Sequence, residues 1–495
     1  MQRGSGPLTG ALRGVLPGRT GAAASSGPSG DDDAPADRYA DFARSALGRK
    51  VVPGLGLPDP APLRRDAPGA PLAPGPVLVT GLVPVGGGDA APRDAGAAAA
   101  AAVAAAGARV LLPGDDDGTE RLGGVVVDAT AARSPADLVG LVGALAPRLR
   151  RLARGAHVVV LGLDPDRLPD GADAATRVAQ RALEGFTRSL GKEVGGGRTV
   201  QLVLLSGGGA AGLGGALRFL LSGRSAFVSG QVVRLADPVG DLPDDDLARG
   251  SRPLEGRTAL VTGAARGIGA ATAQLLAARG ARVVLADVPA AADVLAATAR
   301  EVGGEPFVLD VTSDLAPDRL GERADAVGGL DVVVHNAGIT RDRRLRNMRP
   351  DAFASVLEVN VAAPLRLTEH LLATGRLHRG GRVVGVSSLA GIAGNDGQTS
   401  YAASKAGVIG LVDALAPRAA EVGATVNAVA PGFVETRMTA AVPALNRQLG
   451  RRLSSLGQGG LPVDVAEVVA WFAEPASAAV NGQVLRVCGQ NLLGA

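Results

Sequence analysis

Residues 260–269 read Leu-Val-Thr-Gly-Ala-Ala-Arg-Gly-Ile-Gly. An apolar run ends in Thr262-Gly263, and Gly263, Arg266, Gly267, Ile268 and Gly269 lead into the helical pattern AATAQLLAARG at 270–280. Glycines at this spacing let the backbone turn tightly after a strand and approach a pyrophosphate held at a helix amino end. Asp287 closes the next apolar run, 18 residues after Gly269. A carboxylate there accepts hydrogen bonds from an adenosine ribose and repels a 2′-phosphate. Asp287 therefore favours NAD (NADH over NADPH), while Arg266 argues weakly the other way.

The letters LVTG also stand at 78–81, 182 residues earlier, but there LVPVGGG follows. Around that first copy, PVLVTG, ARVLLPG, GGVVVDAT, AHVVVLGL, TVQLVLL and QVVRLAD are strand candidates separated by helical patterns. After the acidic, Pro-containing stretch 236–253 the alternation restarts with RTALVTG, ARVVLAD, EPFVLDV, LDVVVHNAG, GRVVGVSS, ATVNAVAPG and GQVLRVCG. Strands alternating with helices predict α/β architecture, here two doubly wound Rossmann-like domains with parallel sheets. FVSGQVVRL (227–235) matches AVNGQVLRV (479–487), and GARVLL (107–112) matches GARVVL (280–285), so the halves read as an internal repeat. The organisation expected is a tail and Pro-rich extended arm (1–76), a first domain (77–235), a linker (236–253) and a second domain (254–495).

Composition narrows the function classes. At 495 residues, 46% hydrophobic but only 2% aromatic, the chain builds two cores on Ala, Val and Leu. A net charge of +3 makes no case for nucleic-acid binding. Cys488 is the sole cysteine, which excludes a disulfide framework and fits a reducing, cytoplasmic setting. No apolar run is long enough for a membrane span. Residues 1–30 carry Arg without acids, yet their Gly and Pro spoil an amphipathic transit helix, so a disordered tail or an over-called start is expected. Of 51 basic residues three are lysines, and there are two tyrosines, Tyr39 and Tyr401.

One of each rare type falls in SSLAGIAGNDGQTSYAASKAG (387–407). Tyr401 and Lys405 are spaced i, i+4 and share a helical face. An ammonium beside a phenol stabilises the phenolate, so Lys405 is expected to lower the Tyr401 pKa toward neutrality for general acid work. The rigid fork of an arginine does not replace that compact charge. Ser388, thirteen residues before Tyr401 at a strand end, can hydrogen-bond and polarise a substrate carbonyl.

With the glycine motif, NAG at 336–338, Asn360 in EVNVAAP, Ser388, Tyr401, Lys405 and PGFVET (431–436) in this order, residues 254–495 resemble the short-chain dehydrogenase/reductase family. The resemblance implies that Asp310 and Val311 contact the adenine and that Asn336, Ala337 and Gly338 border the nucleotide. It places Pro431, Gly432, Val434 and Thr436 on the nicotinamide side, Val434 and Thr436 holding the carboxamide. Asn360 then holds a water that relays protons to Lys405, which also binds the nicotinamide ribose. Hydride passes to a carbonyl carbon, Tyr401 donates the proton, Ser388 positions the oxygen, and no metal is needed.

AGITRD (337–342) and PGFVETRMT are similar to the 3-oxoacyl-ACP reductases of that family. The two-domain length, GLPDPAPLRR and the ending VCGQNLLGA resemble their long, high-molecular-weight actinobacterial form, whose members prefer NADH. The implied substrate is an acyl-CoA or acyl carrier protein thioester, and the implied assembly a homodimer. Residues 440–467 match the family's substrate-covering region. RDRRLRNMR (341–349) holds five arginines and admits two readings: a solvated face of an Arg-rich chain, or a dock for an acidic carrier or coenzyme A phosphates. A dehydrogenase of another secondary alcohol would share the same four residues. A non-catalytic nucleotide sensor is the third class, but sensors of that kind usually lose the Tyr–Lys pair.

The first half lacks this chemistry. Aligning GAHVVVLGL (155–163) with GGRVVGVSS (380–388) gives an offset of 225, which lays Leu163, Thr176 and Gln180 on Ser388, Tyr401 and Lys405. None of the three can take its counterpart's role. There is no asparagine before Asn336, and Pro84 and Pro92 interrupt the expected helix start. This half reads as a degenerate, flavodoxin-like copy serving assembly or shaping the active site, with a nucleotide-binding role as the alternative.

Overall fold

β-branched runs bounded by Gly and Asp become strands wherever helices can cover both faces, and the two halves do this in the same way. The computed structural model describes residues 37–54, 60–83, 93–240, 252–440 and 443–491. The expected tail at 1–30, Pro84 and Pro92, most of the expected linker and the last four residues lie outside these.

The first sheet contains β1 (Val77–Gly81), β2 (Val110–Leu111), β3 (Leu122–Asp128), β4 (Leu152–Leu163), β5 (Thr199–Leu205) and β6 (Gln231–Leu235). The second contains β7 (Thr258–Thr262), β8 (Arg282–Asp287), β9 (Glu305–Val308), β10 (Leu330–His335), β11 (Leu377–Val386), β12 (Thr425–Pro431) and β13 (Val484–Val487). Every predicted apolar run is represented. Pairing is parallel throughout, in the orders β2-β1-β3-β4-β5-β6 and β13-β12-β11-β10-β7-β8-β9.

Two short helices, α1 (Arg38–Arg44) and α2 (Gly48–Gly54), precede the first sheet. Its helices are α3 (Asp94–Ala105), α4 (Gly140–Leu149), α5 (Ala174–Glu193) and α6 (Leu213–Leu220). The second sheet is covered by α7 (Gly267–Ala278), α8 (Ala292–Val302), α9 (Ala316–Val327), α10 (Pro350–Leu357), α11 (Ala363–Ala373), α12 (Leu389–Ala393) and α13 (Thr399–Glu421), then α14 (Arg437–Ala440), α15 (Ala444–Arg452) and α16 (Pro462–Ala473). Among the described residues no helix is long and apolar enough to cross a membrane.

In the second sheet the chain starts at central β7, moves out through β8 and β9, and returns to β10 on the other side. The crossovers on either side of β7 and β10 diverge, leaving a crevice beyond the strands' carboxyl ends.

The halves are not merely tethered. Phe219 and Trp471, equivalent in the repeat at a separation of 252 residues, stack with centroids 4.5 Å apart and planes 1° from parallel. The amide of Arg486 donates to Gln231 Oε1 (3.2 Å), and the amide of Arg234 donates to Gln483 Oε1 (2.9 Å). Gln231 and Gln483 are repeat equivalents, as are Arg234 and Arg486, so the contact is reciprocal, like an isologous dimer interface inside one chain. One apolar cluster runs through both halves, including Phe219, Phe227, Trp471 and Phe472. Beside it the buried Arg224 guanidinium meets Glu467 (2.8 Å) and Glu474 (2.6 Å).

The Pro-rich arm is more structured than expected. Residues 60–66 have no helix or strand, as their prolines dictate, yet Ala61 is buried and Arg65 forks onto Asp464 at 2.8 and 2.9 Å. The arm packs because its arginines find buried acceptors at the far end of the chain.

Candidate active site

The crevice forms a cavity of about 450 Å³. Its lower wall is the turn after β7. Gly263 has φ +63°, and a Cβ there would meet Ala337 Cα at 2.8 Å; one on Gly269 would meet the Gly263 carbonyl oxygen at 2.1 Å. The loop thus comes close to α7 only because both residues lack side chains. The Asn336 amide nitrogen donates to the carbonyls of Thr262 (3.0 Å) and Gly263 (2.9 Å). Thr262 Oγ1 accepts from the amides of Asn336 and Ala337, both at 3.1 Å. Thr262 is thus a further structural residue of the site, and its hydroxyl at the strand–turn junction is the sequence signal for it.

Gly263, Arg266, Gly267, Ile268 and Asp287 line this end of the cavity. The Asp287 carboxylate accepts from the Ala265 amide (3.0 Å) and the Val288 amide (2.9 Å), which fixes it at the strand end. Asp310, Val311, Asn336, Ala337 and Gly338 line the middle, with Leu309 and Ile339 beside them. Asp310 is itself held in a turn, accepting from Thr312 N (3.0 Å) and Oγ1 (2.7 Å).

Tyr401, Lys405 and Thr436 line the far end, with Val386 and Arg437. Both Tyr401 and Lys405 come from the first turns of α13, which buries Ser404, Lys405 and Val408 along one side. Strand alternation puts Ser387 under α13, where its hydroxyl bonds the Lys405 carbonyl (2.7 Å). Ser388 then faces the other way. It caps α12, accepting from the Ala390 amide (3.2 Å), and its side chain is a hydrogen-bond partner of the Tyr401 phenol.

Other expected residues stand behind the wall. Gly269 packs under the turn. Asn360 is buried in a π-helical turn at Glu358–Ala362, donating to Ile339 O (3.0 Å) and Ser404 Oγ (2.9 Å) and accepting from Ile339 N (2.9 Å). Pro431 ends β12 against Val487; Gly432 lies on Cys488, where a Cβ would approach at 2.6 Å; Val434 bridges to Gly460. These three set the path of the strand-to-helix segment carrying Thr436.

The electrostatics correct one expectation. Burial raises the Tyr401 phenol above its ordinary range; the Ser388 hydrogen bond opposes this and Asp342 adds to it. Lys405 does not pull it down. Its buried ammonium donates to the Val386 carbonyl at 2.8 Å, and Nζ stands 5.6 Å from the Tyr401 ring centroid. Burial also lowers Lys405 itself to about 8.

The corresponding place in the first half is filled from within. Gln180, at the Lys405 position, accepts from Leu163 N (2.8 Å) and donates to Ala129 O (3.1 Å) and Ala132 O (2.9 Å). Strand register puts Asp128 where Asn336 sits, and its carboxylate accepts from Gly96 N (3.0 Å) in the first turn of α3. A side-chain anion thus sits on the helix end that a phosphate would otherwise take.

Strand order, crevice and glycine turn define a Rossmann-type α/β domain in the second half. A family model described as Enoyl-(Acyl carrier protein) reductase matches residues 263–489. The 3-oxoacyl-[acyl-carrier-protein] reductase FabG of Vibrio cholerae is 41% identical over 237 residues, covering 48% of this chain and 97% of that protein. The enzymes of the same name from Thermotoga maritima (41% over 240 residues, 48% and 98%) and Escherichia coli (39% over 242 residues, 48% and 97%) match alike. The chain belongs to the short-chain dehydrogenase/reductase family, at about twice the length of these relatives.

Proposed function

We propose that the chain reduces 3-oxoacyl thioesters of acyl carrier protein or coenzyme A to 3-hydroxyacyl thioesters, with NADH preferred over NADPH and Tyr401 as proton donor. The observation that carries the reading is one cavity lined by Asp287, Tyr401 and Lys405, with Ser388 hydrogen-bonded to the Tyr401 phenol. The relatives' names supply the substrate class, and residues 254–495 are the catalytic half.

The cavity fits a dinucleotide: Gly267, the first residue of α7, lines it with open space around its missing Cβ, which leaves the amino end of α7 open to an anion. Asp287 would hold the adenosine ribose, Asp310 and Val311 would border the adenine, and Thr436 would lie on the nicotinamide side. When bound, a reduced nicotinamide supplies the hydride that adds to the carbonyl carbon. The chain's own residues do the rest. The raised pKa keeps Tyr401 protonated at neutral pH, ready to pass its proton to the developing oxyanion. Ser388 hydrogen-bonds that oxygen and the phenol, aligning donor and acceptor. Lys405, its ammonium anchored on the Val386 carbonyl, would hold the nicotinamide ribose beside Tyr401. A Cβ on Gly338 would crowd both Asn360 Oδ1 and Lys405 Nζ at 3.3 Å, so the missing side chain is what lets the backbone pass this close to both groups.

A homodimer and a cytoplasmic setting belong to the same reading, with residues 77–235 as an assembly domain. The test follows oxidation of NADH and of NADPH with acetoacetyl-CoA, using crotonyl-CoA as the control for reduction of a C=C bond. Tyr401→Phe is expected to lower kcat by about 10²–10⁴ while dinucleotide binding persists. Unchanged turnover in that variant refutes the proton donor, and a strong NADPH preference refutes the role of Asp287.

A further inference from the structure

The second tyrosine, Tyr39, lies far from the cavity in sequence, yet it belongs to the same assembly. α15 buries only one side chain, Arg451, and leaves Leu445 and Leu449 exposed. A nine-residue helix without a buried apolar face does not hold its own position. Polar contacts hold it instead: Arg447 donates to Ala440 O (3.0 Å), and the two last arginines reach further. Arg451 forks onto Glu435 at 2.5 and 2.9 Å, and Glu435 precedes Thr436 and Arg437 on the cavity wall. Arg452 Nη2 donates to Asp37 at 2.6 Å, 415 residues away, and its guanidinium lies over the Tyr39 ring, 4.5 Å from the centroid. Asp37 is also 3.9 Å from Arg451, and it caps α1 by accepting from the Ala40 amide at 3.2 Å. Further along, Arg44 donates to Gln458 (3.3 Å), and Gln458 donates to Ala61 O (2.6 Å). The amino-terminal arm therefore grips the end of α15 and the loop after it at several points.

We propose that Asp37 and Tyr39 are positioning residues: through Arg452 and Arg451 they hold α15 and Glu435 against the Thr436–Arg437 wall, so the arm sets how closely the cavity accepts an acyl thioester. This rests on the cavity being the reductase site proposed above. Neither residue touches a reacting group, so the effect belongs in substrate affinity and in the local order of α15.

The test compares the full chain with Asp37→Ala/Tyr39→Ala and with Asp37→Glu. Expected in the double variant are a KM for acetoacetyl-CoA higher by about tenfold, kcat within about twofold, and a matching acceleration of amide hydrogen exchange at residues 444–452 while β7 and β10 amides stay protected. Asp37→Glu, which can still reach Arg452, restores most of both. Unchanged exchange at 444–452, or faster exchange with unchanged KM, overturns the proposal. A parent chain that turns over no thioester removes the reductase reading, and the exchange measurement alone then decides whether the arm holds α15. Should the double variant fail to fold, Asp37→Asn carries the same two readouts with the charge removed and the shape kept.

Discussion

Phe219 and Trp471 stack face to face at 4.5 Å from equivalent positions of the two halves, on the local axis that relates them. Both are buried, in a chain with one tryptophan and eight phenylalanines. Trp471→Ala opens a cavity in the shared core and is expected to cost about 3–5 kcal/mol. Because the core is shared, thermal unfolding in calorimetry should shift as a single transition. Loss of the second domain alone, with the first melting unchanged, would contradict a common core.

Beside this stack, Arg224 serves two buried carboxylates. Among the described residues, Arg224→Met leaves Glu467 and Glu474 sharing Arg279 alone, and the expected cost is again about 3–5 kcal/mol. The triple variant with Glu467→Gln and Glu474→Gln should recover part of it. Equal stability of single and triple variants, by urea denaturation, would rule out uncompensated charge as the cause.

Two glycines in the first turn of α7 separate strain from collision. Gly267 has φ +59° with open space around its missing Cβ, so Gly267→Ala is expected to cost about 1–2 kcal/mol. Gly269→Ala drives a methyl into the Gly263 carbonyl, displacing the turn, and should cost more and abolish detectable NADH binding. The reverse ranking of melting temperatures would mean that α7 does not approach the turn this closely.

The lowered Lys405 predicts a pH dependence of dinucleotide binding. In the free chain its ammonium is charged below about 8 and is lost above it. If that charge binds the ribose, NADH affinity is level below about pH 8 and falls by up to about tenfold per unit above it. Stability has the opposite sign. The folded chain gives up this proton before the unfolded chain does, so the burden of the buried ammonium is full below about 8 and lifts as pH rises. Fluorescence titration of NADH and urea denaturation across this range read the two trends, and Lys405→Met should flatten both.

Arg344 and Arg349 pair with Asp396 and Asp351, whereas Arg343 and Arg346 make no hydrogen bond or ion pair among the described residues. The cluster adjoins Asp342, which accepts from Gln398 (2.8 Å) three residues before Tyr401. Arg343→Glu/Arg346→Glu is expected to raise KM for acyl carrier protein substrates by about tenfold, more at low salt, and to spare a short free ketone. Equal effects on both substrates return the cluster to a solvated face.

Much of this molecule is legible in its sequence. The thirteen strands among the described residues follow from short apolar runs between turn residues, and both sheets from their alternation with helices. The glycine turn, Asp287 at a strand end and the Tyr401–Lys405 pair on one helical turn are local patterns, encoded by chain geometry within a few residues. The degenerate first half was equally readable, since Leu163, Thr176 and Gln180 cannot do what their counterparts do.

Other properties belong to the tertiary structure. Burial, not spacing, raises Tyr401 and lowers Lys405, because desolvation depends on everything packed around a group. Asn360 and Gly269 support the cavity from behind its wall, which no motif discloses. Tyr39 meets Arg452, and Phe219 meets Trp471, across hundreds of residues that carry no local periodicity linking them. Sequence pattern states which face of an element is apolar; only the folded chain decides what that face, or an arginine beyond it, will meet.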